Sequence, residues 1–170
     1  VTSVDAEHLE YYGTLDKIQR AFTQFCNMVP FYGFSIVCWD DANTRAFHKV
    51  IDSVCVTYGT SEGAGVRGSN ATIVVPDKTK SKAAQLANLR TRVEVHSDDS
   101  RLQVKGRLGA LTVNAIGEHN VRNALAAIAS DFWEDLSDEK PPRIVAGILS
   151  GRALDDVRRR TCFSEFAYSG

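Results

Sequence analysis

The chain has 170 residues, 44% of them hydrophobic, and a formal net charge of -1. That is enough apolar material for one domain with a sizeable core, and the near-neutral charge supplies neither a basic field for nucleic acid nor a polybasic membrane patch. The apolar runs are too short to cross a bilayer and no secretory leader precedes the first predicted strand, so a cytoplasmic protein is expected.

Val1 to Val4 reads as a short strand that runs into an acidic cluster, Asp5, Glu7 and Glu10, with His8 among them. Residues at the carboxyl end of a parallel strand face the crevice where ligands bind in open α/β sheets. A histidine there can ligate a metal as neutral imidazole or carry a proton near neutral pH; the same stretch also reads as a solvated acidic turn. Thr14 is a predicted N-cap, and Leu15, Ile18, Phe22, Phe25 and Val29 recur at helical spacing up to Pro30, which stops the helix.

Phe34 to Trp39 is a predicted buried strand that ends at Asp40-Asp41, where paired acids read as a turn and helix cap more readily than as metal ligands. A helix over Asn43 to Val50 and a strand over Val54 to Thr57 follow, with His48 placed on the surface without a partner. Helices alternating with strands imply a largely parallel sheet. Cys26, Cys38 and Cys55 lie in these apolar segments and Cys162 lies far away, with no Cys-x-x-Cys pair, so they read as small core hydrophobes.

After the loop at Ser61 to Gly65 the pattern changes. Val66–Asn70, Ala71–Val75, Arg92–His96, Leu102–Lys105 and Leu111–Val113 are short extended segments, which predicts an antiparallel subsheet. Lys78, Lys80 and Lys82 belong to a solvated break, and Lys82 to Leu89 is a helical turn or two. Gly117 permits a tight turn, Asn120 is a predicted cap, and Val121 to Ala129 is an alanine-rich helix. His119 and Asn123 are four apart and share one side of it. An asparagine amide offers the donor and acceptor that an adenine edge requires, and an imidazole can lie against a purine face. An acidic connection over Phe132 to Pro142, a helix over Ile144 to Ser150 and the run Val157-Arg158-Arg159-Arg160 complete the chain.

The opening Val-Thr-Ser-Val-Asp-Ala-Glu-His-Leu-Glu-Tyr-Tyr-Gly, then Pro30-Phe31-Tyr32-Gly33, then Gly117-Glu118-His119-Asn120-Val121-Arg122-Asn123-Ala124, resemble in that order the Mur ligases, ATP-dependent enzymes that build the peptidoglycan stem peptide. The resemblance is greatest to the branch that joins L-alanine to UDP-N-acetylmuramate. It implies an α/β fold, a mainly parallel sheet flanked by helices with a small antiparallel subsheet, related to the P-loop NTPases. The glycine-rich phosphate loop of such enzymes is absent from the 170 residues. Its strand and helix are expected before Val1, so residues 1–170 are expected to be part of a central ATP-binding domain, cut at both ends. The UDP-binding N-terminal and the C-terminal domains would then lie outside, and ligase turnover by this chain alone is not expected.

The resemblance also assigns roles. His8 corresponds to a ligand of Mg2+ beside the reacting phosphate, with Glu7 orienting its imidazole. His119, Asn120 and Asn123 correspond to adenine contacts of ATP. Arg159 and Arg160 match a family arginine pair that binds ATP phosphates, although Leu154, Asp156 and Thr161 replace the usual neighbours and a simple basic helix end remains a second reading. Phe22 occupies the place of a lysine that other branches carbamoylate to hold magnesium. Two further readings stand beside the alanine-adding one: another Mur or folylpolyglutamate-type ligase, and a non-catalytic nucleotide-binding domain that kept the fold.

Overall fold

The computed structural model describes residues 1–5, 9–75, 78–101, 105–134 and 161–162. After a single turn, α1 (Leu9–Tyr12), the chain enters α2 (Leu15–Asn27). Thr14 caps it in extended conformation, with the Lys17 N–H donating to Thr14 Oγ1 over 3.3 Å. Ile18 and Cys26 are buried, with Leu15 and Phe22 half-buried beside them. The inward stripe thus steps 15, 18, 22, 26, and Phe25, expected to face the core, is a quarter-turn off it and largely exposed.

Strands β1 (Ser35–Cys38), β2 (Cys55–Gly59), β3 (Val66–Val74), β4 (Arg90–Ser97), β5 (Gly106–Val113) and the two-residue β6 (Thr161–Cys162) form one sheet in that spatial order. The first three run parallel, with Cys38 opposite Tyr58 and Tyr58 opposite Val66. From β3 onward every pairing is antiparallel. The expected parallel and antiparallel parts are therefore one continuous sheet, and β3 belongs to both. Helix α3 (Ala42–His48) connects β1 to β2, α4 (Lys82–Ala87) lies between β3 and β4, and α5 (Glu118–Glu134) follows β5.

Two cores result. On one face α5 lays Val121, Ala124, Leu125 and Ile128 against Val56, Tyr58, Val66, Val93, Val95 and Leu111. On the other face α2 and α3 close over Val37 and Cys55, with Val4, Ile18, Cys26 and Phe47. Alternation along each strand sends successive side chains to opposite cores, so β2 is buried at all five positions.

Several expectations change. Val1 to Val4 is not a regular strand: the Val1 nitrogen donates to the Ile36 carbonyl (2.6 Å) and Cys38 N–H donates to the Val1 carbonyl (2.9 Å), a single parallel bridge on the outer edge of β1. The Cys38 carbonyl, which the next rung would use, accepts from the Thr44 hydroxyl instead. The two segments expected over 66–75 are one strand whose register shifts between Ser69 and Thr72, with Asn70 at φ +53°. That is a bulge, which asparagine tolerates in the left-handed region. Of the segment expected over Leu102 to Lys105, residues 102–104 lie outside the described part. His48 is not free on the surface: its ring stands edge-on to Trp39 at 5.4 Å, and burial, reinforced by the charge of Arg101, lowers its pKa.

Candidate functional site

Three chain segments converge where the parallel strands end. The first is the turn after β1. Asp41 caps α3, accepting the Thr44 N–H at Oδ1 over 2.7 Å. Asp40 turns toward β2 and accepts the Thr60 and Ser61 N–H groups at 2.8–2.9 Å and the Thr60 hydroxyl at 3.0 Å. A Cβ on Gly59 would stand 2.5 Å from Asp40 Oδ1, so only glycine lets the carboxylate approach. Burial alone would raise the Asp40 pKa, but the hydrogen bonds from Thr60 and Ser61 outweigh it and hold the carboxyl below the usual carboxylate range. Asp40 is a clasp between two strand ends with both oxygens committed, which bears out the turn-and-cap reading of the acid pair.

The second segment is the loop after β2. Trp39 Nε1 donates to the Glu62 carbonyl over 3.0 Å, and Gly63 beneath it has φ +87°. The third is the start of α5. Thr60 Oγ1 lies 3.3 Å from Glu118 Oε1, which joins the β2 end to the first turn of the helix. Gly117 adopts φ +107°, and a Cβ there would meet His119 Cε1 at 2.9 Å, so the imidazole lies directly over the glycine.

His119 is exposed, Asn123 is half-buried one turn further, and among the described residues neither side chain has a hydrogen-bond partner. The pair expected to share one side of the helix does so, beside the carboxyl ends of β1 and β2. Asn120 differs from expectation. The helix starts two residues earlier, at Glu118, so Asn120 is inside the first turn; its amide donates to the Ile116 carbonyl over 2.8 Å instead of capping N–H groups. The clasp of Asp40, Thr60 and Glu118 was not anticipated as one unit; the glycine at 59, the last residue of β2, was its only sequence signal.

His8 and Glu7 lie outside the described residues, as do Arg159 and Arg160 and the helix expected over Ile144 to Ser150. Among the described residues no three His, Cys, Asp or Glu side chains gather as a metal site. The segment leading to His8 is nonetheless positioned: Val4 is buried, and its carbonyl accepts Asn43 Nδ2 from the first turn of α3 over 2.7 Å. Phe22 stacks on Phe47 with centroids 6.2 Å apart, within the smaller core. The donor set at α5, an unengaged amide and an open imidazole at a helix start, suits a purine base.

A UDP-N-acetylmuramate--L-alanine ligase of Salinibacter ruber is 39% identical over 161 residues, which is 94% of this chain and 28% of that protein. The ligase of the same name from Myxococcus xanthus is 38% identical over 129 residues, 76% of this chain and 23% of that protein. The chain thus spans about a quarter of the length of these relatives. In fold it is similar to MurF from Acinetobacter baumannii, with a TM-score of 0.56 at 22% identity over 81% of this chain and 26% of that one. The Mur ligase middle domain family matches residues 1–130, a span that runs from the first bridge on β1 through most of α5, and the chain belongs to that family.

Proposed function

We propose that this chain is the middle, ATP-binding domain of a UDP-N-acetylmuramate--L-alanine ligase. The observation that carries the reading is the 39% identity to such a ligase across 94% of the chain. Phe22 supports it: a half-buried ring stacked on Phe47 stands where a carbamoylated lysine would mark other branches. In the whole protein, flanking N-terminal and C-terminal domains would bind the UDP-sugar and the amino acid. The reaction would be phosphorylation of the muramoyl carboxylate by ATP, then attack of the L-alanine amine on the acyl phosphate with release of phosphate. It is the cytoplasmic, amide-forming step that starts the stem peptide.

In this reading Asn123 exchanges a donor and an acceptor with the adenine edge while His119 covers the ring from above Gly117. Asn120 supports that pair through its bond to Ile116. The Asp40 clasp keeps the β1 and β2 ends and the α5 start at fixed separations, so the base and the reacting phosphate are held relative to one another. Bound Mg2+ would neutralise phosphate charge as bonds form and break. His8 would hold it, with Glu7 orienting the imidazole, and the Arg159 and Arg160 forks would bind phosphate oxygens.

Titration of the chain with a magnesium complex of a non-hydrolysable ATP analogue, followed by amide NMR, tests the reading. Saturable shifts at Gly117 to Asn123 are expected, with Asn123→Ala weakening binding at least about tenfold. His8→Ala should remove the magnesium dependence of the affinity. Binding by a folded Asn123→Ala chain that matches the unaltered one would overturn the adenine role. In the whole protein, phosphate release that needs both UDP-N-acetylmuramate and L-alanine tests the reaction.

A further inference from the structure

The face of the sheet opposite α5 changes character beyond β2. Gly68 and Val95 point toward α5, since a Cβ on Gly68 would meet Leu125 at 2.9 Å and Val95 lies in the same core. Their neighbours Arg67 and His96 therefore point away from it. Arg67 is paired with His96 across β3 and β4, and His96 with Arg107 across β4 and β5. The three form a row over three strands, with Arg107 joining it just past the register shift between Val95 and His96, and Cβ atoms of directly paired residues stand about 5 Å apart. Strand β4 adds Arg90, Arg92 and Glu94 to the same face by alternation.

Among the described residues, the four arginines share this face with three acids: Glu94 on β4, Asp40 against Gly59, which pairs with Arg67, and Asp99 against Gly65. Each acid is already engaged: Asp40 accepts from Thr60 and Ser61, and Asp99 pairs with Arg101 at 2.6 Å. Glu94 accepts Asn70 Nδ2 over 2.9 Å from the β3 bulge and stands 3.8 Å from Arg107 and 4.0 Å from His96. Arg67 has no ion-pair partner among the described residues, and its Nε is buried without a hydrogen-bond acceptor. A guanidinium N–H that is taken out of water and left unbonded is costly, and native structures rarely keep one unless another group completes it. No aromatic side chain stands in the row, which removes the stacking surface a nucleic-acid strand would need.

We propose that the row Arg67, His96 and Arg107 is a binding site for a phosphate-type oxyanion, with the diphosphate group as the best match. Two guanidinium forks stand on either side of an imidazole, two strand spacings or about 10 Å apart at the backbone. Their side chains can close on adjacent phosphate groups from both sides. Glu94 sets the position of Arg107 and limits the affinity by its own charge. The site lies on the opposite face from α5 and stands independently of the adenine reading.

The test is a titration of the labelled chain with inorganic pyrophosphate at constant ionic strength, read from the amides of β3, β4 and β5 and the arginine side-chain resonances. Saturable shifts centred on Arg67, His96 and Arg107 are expected. Arg67→Ala should weaken binding at least about tenfold, since a charge-assisted fork is lost. Glu94→Gln should tighten it. Shifts that sodium chloride reproduces, or a folded Arg67→Ala chain that binds as well as the original, would overturn the proposal. Should Arg67→Ala not fold, Glu94→Gln decides: unchanged or weaker binding overturns the site. Pyrophosphate shifts centred on the ends of β1 and β2 and the start of α5 instead of on β3 to β5 would also overturn it, because the phosphate response would then belong to the nucleotide site.

Discussion

Strands β2 and β4 lie two places apart in one sheet and are built on different plans. β2 is buried at every position, between α5 on one face and the α2–α3 layer on the other. β4 buries Thr91, Val93, Val95 and Ser97 and turns Arg92, Glu94 and His96 outward. A parallel strand reached by helical crossovers is covered on both sides, whereas an antiparallel strand needs only one covered face. The division of labour follows. The parallel half fixes the strand ends that carry the candidate nucleotide site, and the antiparallel half offers an open charged surface.

Helix α5 is the element both halves share, so its core residues should give the largest effects. Leu125 is fully buried and faces Gly68. Leu125→Ala should cost about 2–5 kcal/mol in urea unfolding. If the halves fold as one unit, amide protection in β2 and β4 should fall together; retention of β4 protection alone would separate them. Gly68→Ala acts on the antiparallel side, where the added methyl meets Leu125 at 2.9 Å and Val93 at 3.1 Å. A cost of about 1–3 kcal/mol is expected, with the shifts in Leu125 and Val93 methyl resonances marking the strain.

Asp40→Asn probes the parallel half alone and should cost about 1 kcal/mol at neutral pH, since an amide cannot accept all the bonds the carboxylate accepts. Because the folded pKa is depressed, the unfolded chain binds more protons in acid. The stabilisation is therefore present above the unfolded carboxyl value, about 4, and is lost as pH falls toward the lower folded value. Urea titrations from neutral to acid pH should show a shallower decline for Asp40→Asn than for the unaltered chain. The smallest effect is expected at the edge of that half: Thr14→Ala removes an exposed cap of α2 and should cost about 0.5–1 kcal/mol.

The same contrast explains what could be read in advance. Local signals succeeded: Thr14 and Asp41 as caps, Pro30 as a stop, β1 and β2 as short buried runs, and the alanine-rich α5. The motif around Gly117 to Asn123 was legible because helical spacing alone puts His119 and Asn123 on one side. Cross-strand facts were not. Gly-Ser-Asn-Ala at 68–71 has turn chemistry, yet pairing with β4 carries the strand through it as a bulge. The ring contact between Trp39 and His48, the orphaned Arg67 Nε and the reach of Asp40 to Thr60 depend on partners 9 to 29 residues away or on register. Asn120 failed as a cap because the helix began at Glu118, where Gly117 could already supply the turn.

The three buried cysteines give the parallel half a built-in clock. Cys26, Cys38 and Cys55 lie on α2, β1 and β2, and desolvation pushes the Cys55 thiol up to about 12. Only a thiolate attacks an alkylating reagent, so a closed fold keeps Cys55 silent in neutral buffer. With Cys162 replaced by serine, the rate at which label enters would count openings of that half directly. A ligand that bridges the ends of β1, β2 and α5 should slow labelling in proportion to its occupancy. One seated on the Arg67 row, across β3 to β5, should slow it less.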